Sequence, residues 1–244
     1  MDFYDKIQGY EHLIIDLRNN LGGWTPMFVE FILGPNINET LYTYGFAFMV
    51  HGGELSQWAV SPFFSSFNSG FWPRGSRTAI GIGSRFVVND RRGHIPLEEM
   101  LHEFELPQLN MHDMERIQYG FQIRYVFEPI RLSRFDYQPA FDGKIWFLVG
   151  YRTGSGSHLT SWWAHDTGFA TFVGGNTGGN FGGNRVNFRL PNSRIRVEMD
   201  VLYFADRYGY GIEAGIIPHY RTRPGMDALT TVLALIDEGW RYGE

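Results

Sequence analysis

The sequence contains no cysteine and no long apolar run, and these absences exclude whole classes of protein. Without cysteine there is no disulfide framework and no thiolate chemistry. No stretch approaches the roughly 18 consecutive apolar residues of a membrane-spanning helix, so no membrane span is predicted. Residues 1–5 are acidic where a secretory signal peptide would be basic, so no signal peptide is expected in this chain.

The chain also lacks a basic cluster. Its 21 Lys and Arg residues are scattered among 26 Asp and Glu residues, and the net charge is −5. Nucleic-acid-binding proteins carry a basic patch or stripe, so no nucleic-acid partner is predicted. Aromatic residues make up 17% of the chain and glycine fills 30 of 244 positions, which argues against disorder and favours a turn-rich α/β domain.

The stretch of residues 144–180 is the most informative. A short apolar run at 145–149 predicts a buried strand, and the Gly/Ser/Thr cluster after it predicts a tight turn. A helix can begin next, with Thr153, Ser155 or Ser157 as its N-cap. A hydroxyl on such a turn is a good place for a nucleophile, because free N–H groups of the first helical turn can bind an oxyanion beside it. The alternative is that these hydroxyls only cap the helix.

Strands and helices alternate along the rest of the chain, which is typical of an α/β fold. Further strands are predicted at residues 12–17, 40–50, 121–127, 169–173, 185–190 and 195–199, with a hairpin over 78–88. Helices are predicted at residues 24–33, 97–104, 111–118 and 227–238. Residues 51–143 carry no recognisable motif, and we interpret them as an insertion or lid within a single domain of residues 1–244.

Two familiar site motifs begin in this sequence and then fail. His102-Glu103 starts like a zinc-binding His-Glu-x-x-His helix, but position 106 is Leu. The Gly-rich run at 174–183 lacks the Gly-Lys-Ser/Thr end of a phosphate-binding loop. We therefore predict no metal and no cofactor. Asp16 and Arg18 are interpreted as a structural ion pair.

Three stretches together resemble a known enzyme family. Residues 14–23, Ile-Ile-Asp-Leu-Arg-Asn-Asn-Leu-Gly-Gly, closely resemble the Asp-Leu-Arg-x-Asn-x-Gly-Gly signature of the C-terminal processing (tail-specific) serine peptidases, which include the tricorn core. Residues 153–156, Thr-Gly-Ser-Gly, are similar to the Thr-Ala-Ser-Ala nucleophile turn of that family. Residues 173–179, Val-Gly-Gly-Asn-Thr-Gly-Gly, are similar to its Val-Gly-x-x-Thr-x-Gly strand end. The order and spacing of all three argue against a chance match.

The resemblance implies a ClpP/crotonase-like spiral α/β core and serine-type hydrolysis of peptide bonds, with a peptide or protein as substrate. Carried over residue by residue, Ser155 is the nucleophile, and the N–H groups of Gly156 and of Gly22 or Gly23 form the oxyanion hole. Two backbone donors aimed at one point require small residues beside them, and glycine meets this requirement. The resemblance is compatible with a location in the cell envelope or outside the cytoplasm, and it leaves the oligomeric state open.

The general base is where this sequence departs from the family pattern. In the processing branch a Lys follows the third motif, and the matching residue here is Asn180, which has no basic nitrogen. The tricorn-like branch, to which we assign the chain, uses a His upstream of the first strand, a second Ser and a Glu. Glu213 lies near the position of that Glu, and His158, one helical turn after Ser155, is the candidate base within this chain. We expect the chain to be part of a longer protein whose upstream segment supplies the His.

Two other functions stay open from the sequence. One is a catalytically inactive peptide-binding domain that keeps the fold without the base. The other is a crotonase-like enzyme that uses the same oxyanion geometry on a thioester, although no CoA-binding feature is visible. The peptidase is the favoured prediction, because it accounts for all three motifs in their order.

Overall fold

The computed structural model describes residues 2–49, 78–81, 84–88, 95–132, 135, 138–179, 185–200 and 202–239. The chain divides into two compact units, each assembled from segments that are far apart in sequence. The first unit contains Met1–Leu41, Phe127–Phe181 and Ala214–Glu244, and the second contains Tyr42–Val126 and Gly182–Glu213. Residues 51–77, the first part of the predicted insertion, and the residue at position 180 lie outside the described residues.

The strands within the described ranges form three sheets. In chain order they are β1 His12–Asp16, β2 Leu41–Met49, β3 Thr78–Gly81, β4 Ser84–Val88, β5 Ile95–Pro96, β6 Tyr119–Phe127, β7 Lys144–Val149, β8 Thr171–Gly174, β9 Arg185–Arg189, β10 Arg196–Asp200, β11 Leu202–Ala205 and β12 Tyr220–Arg221. The α-helices are α1 Asp2–Lys6, α2 Thr25–Phe28, α3 Leu97–Glu103, α4 Ser155–Asp166 and α5 Ala228–Asp237. A π-helical segment covers Val29–Leu33, and short 3-10 helices cover Gly34–Asn36 and Ile212–Ala214.

A parallel sheet of four strands, in the order β1-β7-β8-β12, organises the first unit. Its register places Asp16 beside Leu148, and Val149 beside Gly174, so β1, β7 and β8 end at the same edge of the sheet. The carboxyl edge of a parallel sheet is where open α/β folds bind ligands. The predicted α/β class and these three predicted strands are confirmed.

The two faces of this sheet are both covered by helices. Phe147 faces a core cluster that includes Ala164 of α4. Its neighbours Trp146 and Leu148 face the opposite cluster, which includes Val232 of α5. A strand buried on both faces needs a continuous apolar run instead of an alternating one, which explains the sequence of β7.

The second unit contains a six-stranded sheet, with the path β11-β2-β6-β4-β3 and with β5 paired to β6. Its core packs Phe46 and Phe48 of β2 against Ile95 and Met100. β9 and β10 pair as an antiparallel hairpin, which confirms the turn predicted at residues 191–194. The hairpin predicted over residues 78–88 is also supported, because β3 and β4 pair in antiparallel fashion.

Two local predictions were wrong. Residues 111–118 begin as successive turns and form no helix; the Asn110 side chain accepts a hydrogen bond from the N–H of His112 (3.1 Å), and such local bonds compete with helix formation. The N-cap of α4 is Gly154, and no side chain makes a capping bond there. The helix predicted at residues 24–33 is present, but it changes from α to π geometry at Val29.

The helix predicted at the C-terminal end is confirmed, together with its N-cap. α5 begins after Asp227, whose carboxylate accepts the N–H of Thr230 at 2.8 Å. The same carboxylate accepts a bond from Arg18 (3.0 Å), and Arg18 also bonds both carboxylate oxygens of Asp16. The structural ion pair predicted for Asp16 and Arg18 is therefore present, and it ties β1 to α5.

Candidate active site

Ser155 lies where the chain passes from β7 into α4, on the turn predicted to carry a nucleophile. Its φ of 52° falls in the left-handed region that residues other than glycine rarely adopt. Its N–H donates to the carbonyl oxygen of Gly179 (3.2 Å), and Gly154 forms a parallel bridge with the same residue. Gly154 also donates its N–H to the carbonyl oxygen of Asn20 (3.1 Å). Fixed backbone on both sides therefore holds Ser155 in its unusual conformation.

The hydroxyl of Thr153 fastens this turn to the sheet. It donates to the carbonyl oxygen of Leu17 (2.7 Å) and accepts the N–H of Gly150 (3.1 Å). The carbonyl oxygen of Thr153 in turn accepts the N–H of Gly178 (2.9 Å). These bonds join the end of β1, the turn and the loop after β8. The hydroxyl of Ser155 makes no capping bond and is left available for chemistry.

The Gly22-Gly23 turn lies directly against Ser155. Gly22 has a φ of 111° and Gly23 a φ of 141°, the positive values expected from the sequence. A Cβ atom on Gly22 would lie 2.6 Å from the Cβ atom of Ser155 and 2.7 Å from the nitrogen of Gly156. Real Cβ atoms essentially never make such short contacts, so only glycine fits here. The Oδ1 atom of Asn20 fixes the turn by accepting the N–H of Gly22 (2.9 Å).

The N–H groups of Gly23 and Gly156 have no acceptor among the described residues. The two residues are adjacent, because a Cβ atom on Gly156 would overlap the carbonyl oxygen of Gly23 and lie 3.1 Å from its nitrogen. Gly156 stands in the first turn of α4, where N–H groups lack an intrahelical partner and the helix dipole favours negative charge. The sequence leaves Gly22 and Gly23 as alternative donors. Because Asn20 already accepts the N–H of Gly22, the N–H of Gly23 is the one that stays available.

His158, the candidate base, is fully buried on α4. Its Nδ1 atom lies 2.8 Å from the Oγ1 atom of Thr177, which also accepts the N–H of Ile216 at 2.7 Å. The Nδ1 atom of His158 is therefore engaged by Thr177, and no hydrogen bond joins His158 to Ser155 among the described residues.

A known protein family matches most of this chain. The sequence profile of peptidase family S41 matches residues 1–222. The chain belongs to peptidase family S41. No curated protein sequence matches it. The S41 motif segments 14–23, 153–156 and 173–179 are the three that meet around Ser155.

Solved structures share the fold of this S41 chain at low sequence identity. Mature CPAF complexed with lactacystin is 16% identical, with a TM-score of 0.51, over 98% of this chain and 45% of that chain. A putative peptidase from Parabacteroides merdae is 15% identical, with a TM-score of 0.56, over 99% of this chain and 56% of that chain. The chain therefore spans about half the length of the solved structures that it matches. At these identities the likeness shows the fold alone.

Glu213, a residue of the second unit, is exposed in the 3-10 helix Ile212–Ala214, and position 180 is outside the described residues. His165 stands in the last turn of α4, about 15 Å along the helix from Ser155. Within the first unit the structure brings Ser155 together with Gly22, Gly23 and Gly156, and among the described residues no hydrogen bond joins His158 or His165 to Ser155.

His165 forms a stacked pair with His219, with ring centroids 4.3 Å apart. Burial lowers the pKa of His165, and burial together with His165 and Lys144 lowers the pKa of His219 to about 4. The Nδ1 atom of His219 accepts the N–H of Phe172 (2.9 Å). Both rings are therefore neutral near pH 7, and they pack against the strand beside α4.

An apolar cavity of about 310 Å³ lies beside the free N–H groups of Gly23 and Gly156. Both residues line it, together with apolar side chains that include Ile15, Leu17, Phe28, Phe31, Ile32 and Phe147. None of its lining residues carries an ionisable side chain. The sequence analysis missed this cavity. The available signal was the spacing of apolar residues 24, 27, 28, 31 and 32, which places them on one face of the predicted helix.

No helix among the described residues has both the length and the apolar character needed to cross a bilayer. Within the same residues, no group of three His, Asp or Glu side chains is placed to hold a metal ion. The features around Ser155 are therefore a hydroxyl, two backbone donors and an apolar cavity.

Proposed function

We propose that this chain is the peptidase domain of a serine-type C-terminal processing protease. Ser155 attacks the carbonyl carbon of a peptide bond, and the N–H groups of Gly23 and Gly156 stabilise the oxyanion that forms. The observation that carries the proposal is that Gly22, Gly23 and Gly156 lie against one another at Ser155, with the N–H groups of Gly23 and Gly156 lacking an acceptor among the described residues. Membership of peptidase family S41 supports the choice of a peptide bond as the substrate.

The chemistry needs little movement of the protein. Both donors are backbone groups that are already oriented, so they cost no reorganisation when charge develops on the oxygen, and losing one such donor typically lowers kcat by about 10²–10³-fold. The Oγ atom of Ser155 forms the acyl bond while the amine leaves, and water then releases the acyl group. The left-handed conformation of Ser155 supports this role, because a strained strand-to-helix turn is how a nucleophilic serine is exposed above a sheet.

The first unit is proposed to be a ClpP/crotonase-like spiral core. Its parallel sheet has helices on both faces, and two glycine turns stand at the carboxyl edge. In that fold class the two turns supply the two oxyanion donors, which agrees with the positions of Gly23 and Gly156.

In this proposal His158 positions the turn, and another group takes the proton of Ser155. The hydrogen bond between Nδ1 of His158 and Oγ1 of Thr177 supports this assignment. His158→Asn would keep an acceptor for the hydroxyl of Thr177 and should leave kcat/KM within about tenfold of the unchanged protein. A loss of about 10²-fold or more, the size of a missing general base, would make His158 the base. Glu213→Gln tests the carboxylate candidate by the same measurement.

The deciding experiment combines labelling with hydrolysis in the full protein. A fluorophosphonate should label Ser155, as located by peptide mass spectrometry, and Ser155→Ala should abolish both labelling and hydrolysis of an unfolded protein substrate. Ser193→Ala, in the exposed hairpin turn, is the matched control and should change neither. Unchanged hydrolysis in Ser155→Ala would overturn the proposal. Peptide binding without any hydrolysis in the unchanged protein would favour the inactive binding domain.

A further inference from the structure

We propose that the apolar cavity beside Gly23 and Gly156 binds the side chain of the residue whose carbonyl is attacked, and that it selects large apolar side chains over charged ones. We call it the specificity cavity, lined chiefly by Ile15, Leu17, Phe28, Phe31, Ile32 and Phe147. This inference rests on the proposed function, since it takes Ser155 as the nucleophile.

The position of the cavity follows from the two free donors. Gly23 and Gly156 line it, and their N–H groups are the ones proposed to bind the carbonyl oxygen of the substrate. The side chain of that substrate residue begins only two bonds from its carbonyl carbon. A substrate whose carbonyl oxygen reaches both donors therefore has this side chain at the cavity.

The chemistry of the wall sets the preference. The cavity has no ionisable lining residue, so a charged side chain would lose its hydration without gaining a partner. Two polar groups of the wall already have partners within the protein. The hydroxyl of Thr160 donates to the carbonyl oxygen of Ser157 (3.1 Å), and Asn20 holds the N–H of Gly22. The wall therefore offers a ligand mainly apolar side chains, together with the lining residues Thr25 and Ser157.

The size of the cavity and its rim favour a large side chain. About 310 Å³ is at the low end of the roughly 300–1,000 Å³ typical of ligand pockets, which suits part of a peptide better than a whole small molecule. Trp24, Met27 and Phe31 line the cavity and are 67%, 47% and 42% exposed. They provide an apolar rim that a bound peptide would cover. Alanine would leave most of this space unfilled.

The first test compares peptides that differ at one position. Internally quenched peptides carry Leu, Phe, Ala, Lys or Glu as the residue that donates the attacked carbonyl, and kcat/KM is measured with the full protein. We expect Leu and Phe to exceed Ala by about tenfold, within the range for small differences in hydrophobic volume. We expect Lys and Glu to fall about 100-fold below Leu. Equal rates for all five peptides would overturn the specificity cavity and leave the role of Ser155 standing.

The second test changes the rim. Met27 is half exposed, so it can carry a charge without a buried penalty. Met27→Glu should raise the ratio of kcat/KM for the Lys peptide to that for the Leu peptide by at least tenfold, and Met27→Lys should do the same for the Glu peptide. Leu233→Glu, a similarly exposed site on α5 at 48%, is the matched control. Identical ratios in Met27→Glu and Leu233→Glu would overturn the proposal.

A binding measurement separates this proposal from the proposed function. Product peptides that end in Leu or Lys are titrated into the Ser155→Ala protein by calorimetry. We expect the Leu peptide to bind at least tenfold more tightly, and Met27→Glu to narrow that difference. Selective binding by the Ser155→Ala protein, together with no peptide hydrolysis by the unchanged protein, would keep the specificity cavity and reject the peptidase. Equal affinities for both peptides would reject the specificity cavity whatever the hydrolysis shows.

Discussion

The N-terminal end of α4 packs against the backbone of neighbouring segments, and its C-terminal end packs against side chains. Ser155 is surrounded by glycines whose missing Cβ atoms let three chain segments approach one another. Ten residues later, His165 is packed against the rings of His219 and Phe172. The N-terminal end is therefore specified by where side chains are absent, and the C-terminal end by the volume and charge state of side chains. Substitutions at the two ends should accordingly fail in different ways.

Gly156→Ala should have the largest effect, because it adds one methyl group where none fits. The new Cβ atom would overlap the carbonyl oxygen of Gly23, a backbone atom that cannot rotate away. We expect kcat/KM for peptide hydrolysis to fall by at least about 10²-fold, as when one oxyanion donor is lost. Gly175→Ala is the control, since its Cβ atom would meet only the Cα atom of Gly150 at 3.9 Å. Similar losses in both variants would contradict the backbone account.

Thr177→Val should destabilise the protein, because Thr177 contacts His158 near the N-terminal end of α4. It removes the hydroxyl that joins His158 to the N–H of Ile216, and both are buried. A buried polar group left unsatisfied costs about 1–3 kcal/mol, so the free energy of unfolding should fall by about 2–4 kcal/mol in urea titrations. Thr177→Ser keeps the hydroxyl and should cost about 1 kcal/mol or less. Equal costs for Val and Ser would show that the methyl group of Thr177 contributes as much as its hydrogen bonds.

The histidine pair should make stability depend on pH at the other end of the helix. The folded pKa values of His165 and His219 are lowered, the latter to about 4, so the unfolded chain binds more protons. The contribution of this pair to the free energy of unfolding is therefore fully present above about pH 6.5, and it is lost as the pH falls from there toward 4. His219→Asn keeps an acceptor for the N–H of Phe172 and should flatten this slope. His112→Asn, at an exposed site, should leave the slope unchanged, and a flattened slope there would remove the pair as its cause.

Ser157→Ala should change the free energy of unfolding least, although Ser157 is two residues from the candidate nucleophile Ser155. Its buried Oγ atom has no hydrogen-bond partner among the described residues, so its removal sacrifices no bond. We expect the free energy of unfolding to change by no more than about 0.5 kcal/mol in urea titrations, since large effects require a specific lost interaction. Thr153→Val removes a hydroxyl with two bonds and should cost about 1–3 kcal/mol. A comparable cost for Ser157→Ala would show that its hydroxyl has a partner after all.

The sheet of the first unit could be predicted because its signals are local. The strands β1, β7 and β8 are short apolar runs that end in glycine-rich turns, and each signal lies within about ten residues. The positive φ angles of Gly22 and Gly23 follow from the same logic, since paired glycines permit such turns. Asp227 was predictable as the N-cap of α5 because Asp before an amphipathic run is a capping signal.

The remaining parts of the candidate site depend on contacts between distant segments. Gly23 is preferred to Gly22 as the candidate oxyanion donor because the side chain of Asn20 accepts the N–H of Gly22. No spacing in the sequence reveals this hydrogen bond. The hydrogen bond between His158 and Thr177 spans 19 residues, so no local pattern predicts it. The specificity cavity exists only where β1, β7 and the helix after Gly23 come together. A motif locates the candidate nucleophile, but its surroundings are formed by contacts between distant segments.

The pairing of β1 with β7 also limits how early the first unit can fold during synthesis. β7 begins at Lys144, 128 residues after β1 ends at Asp16. At about 5–20 residues per second, a ribosome needs roughly 6–26 seconds to make the intervening chain. Until then β1 has no β7 to pair with, and unpaired strand edges invite contacts with other chains. The speed of translation, more than the strength of any bond described above, decides when the turn bearing Ser155 can first form.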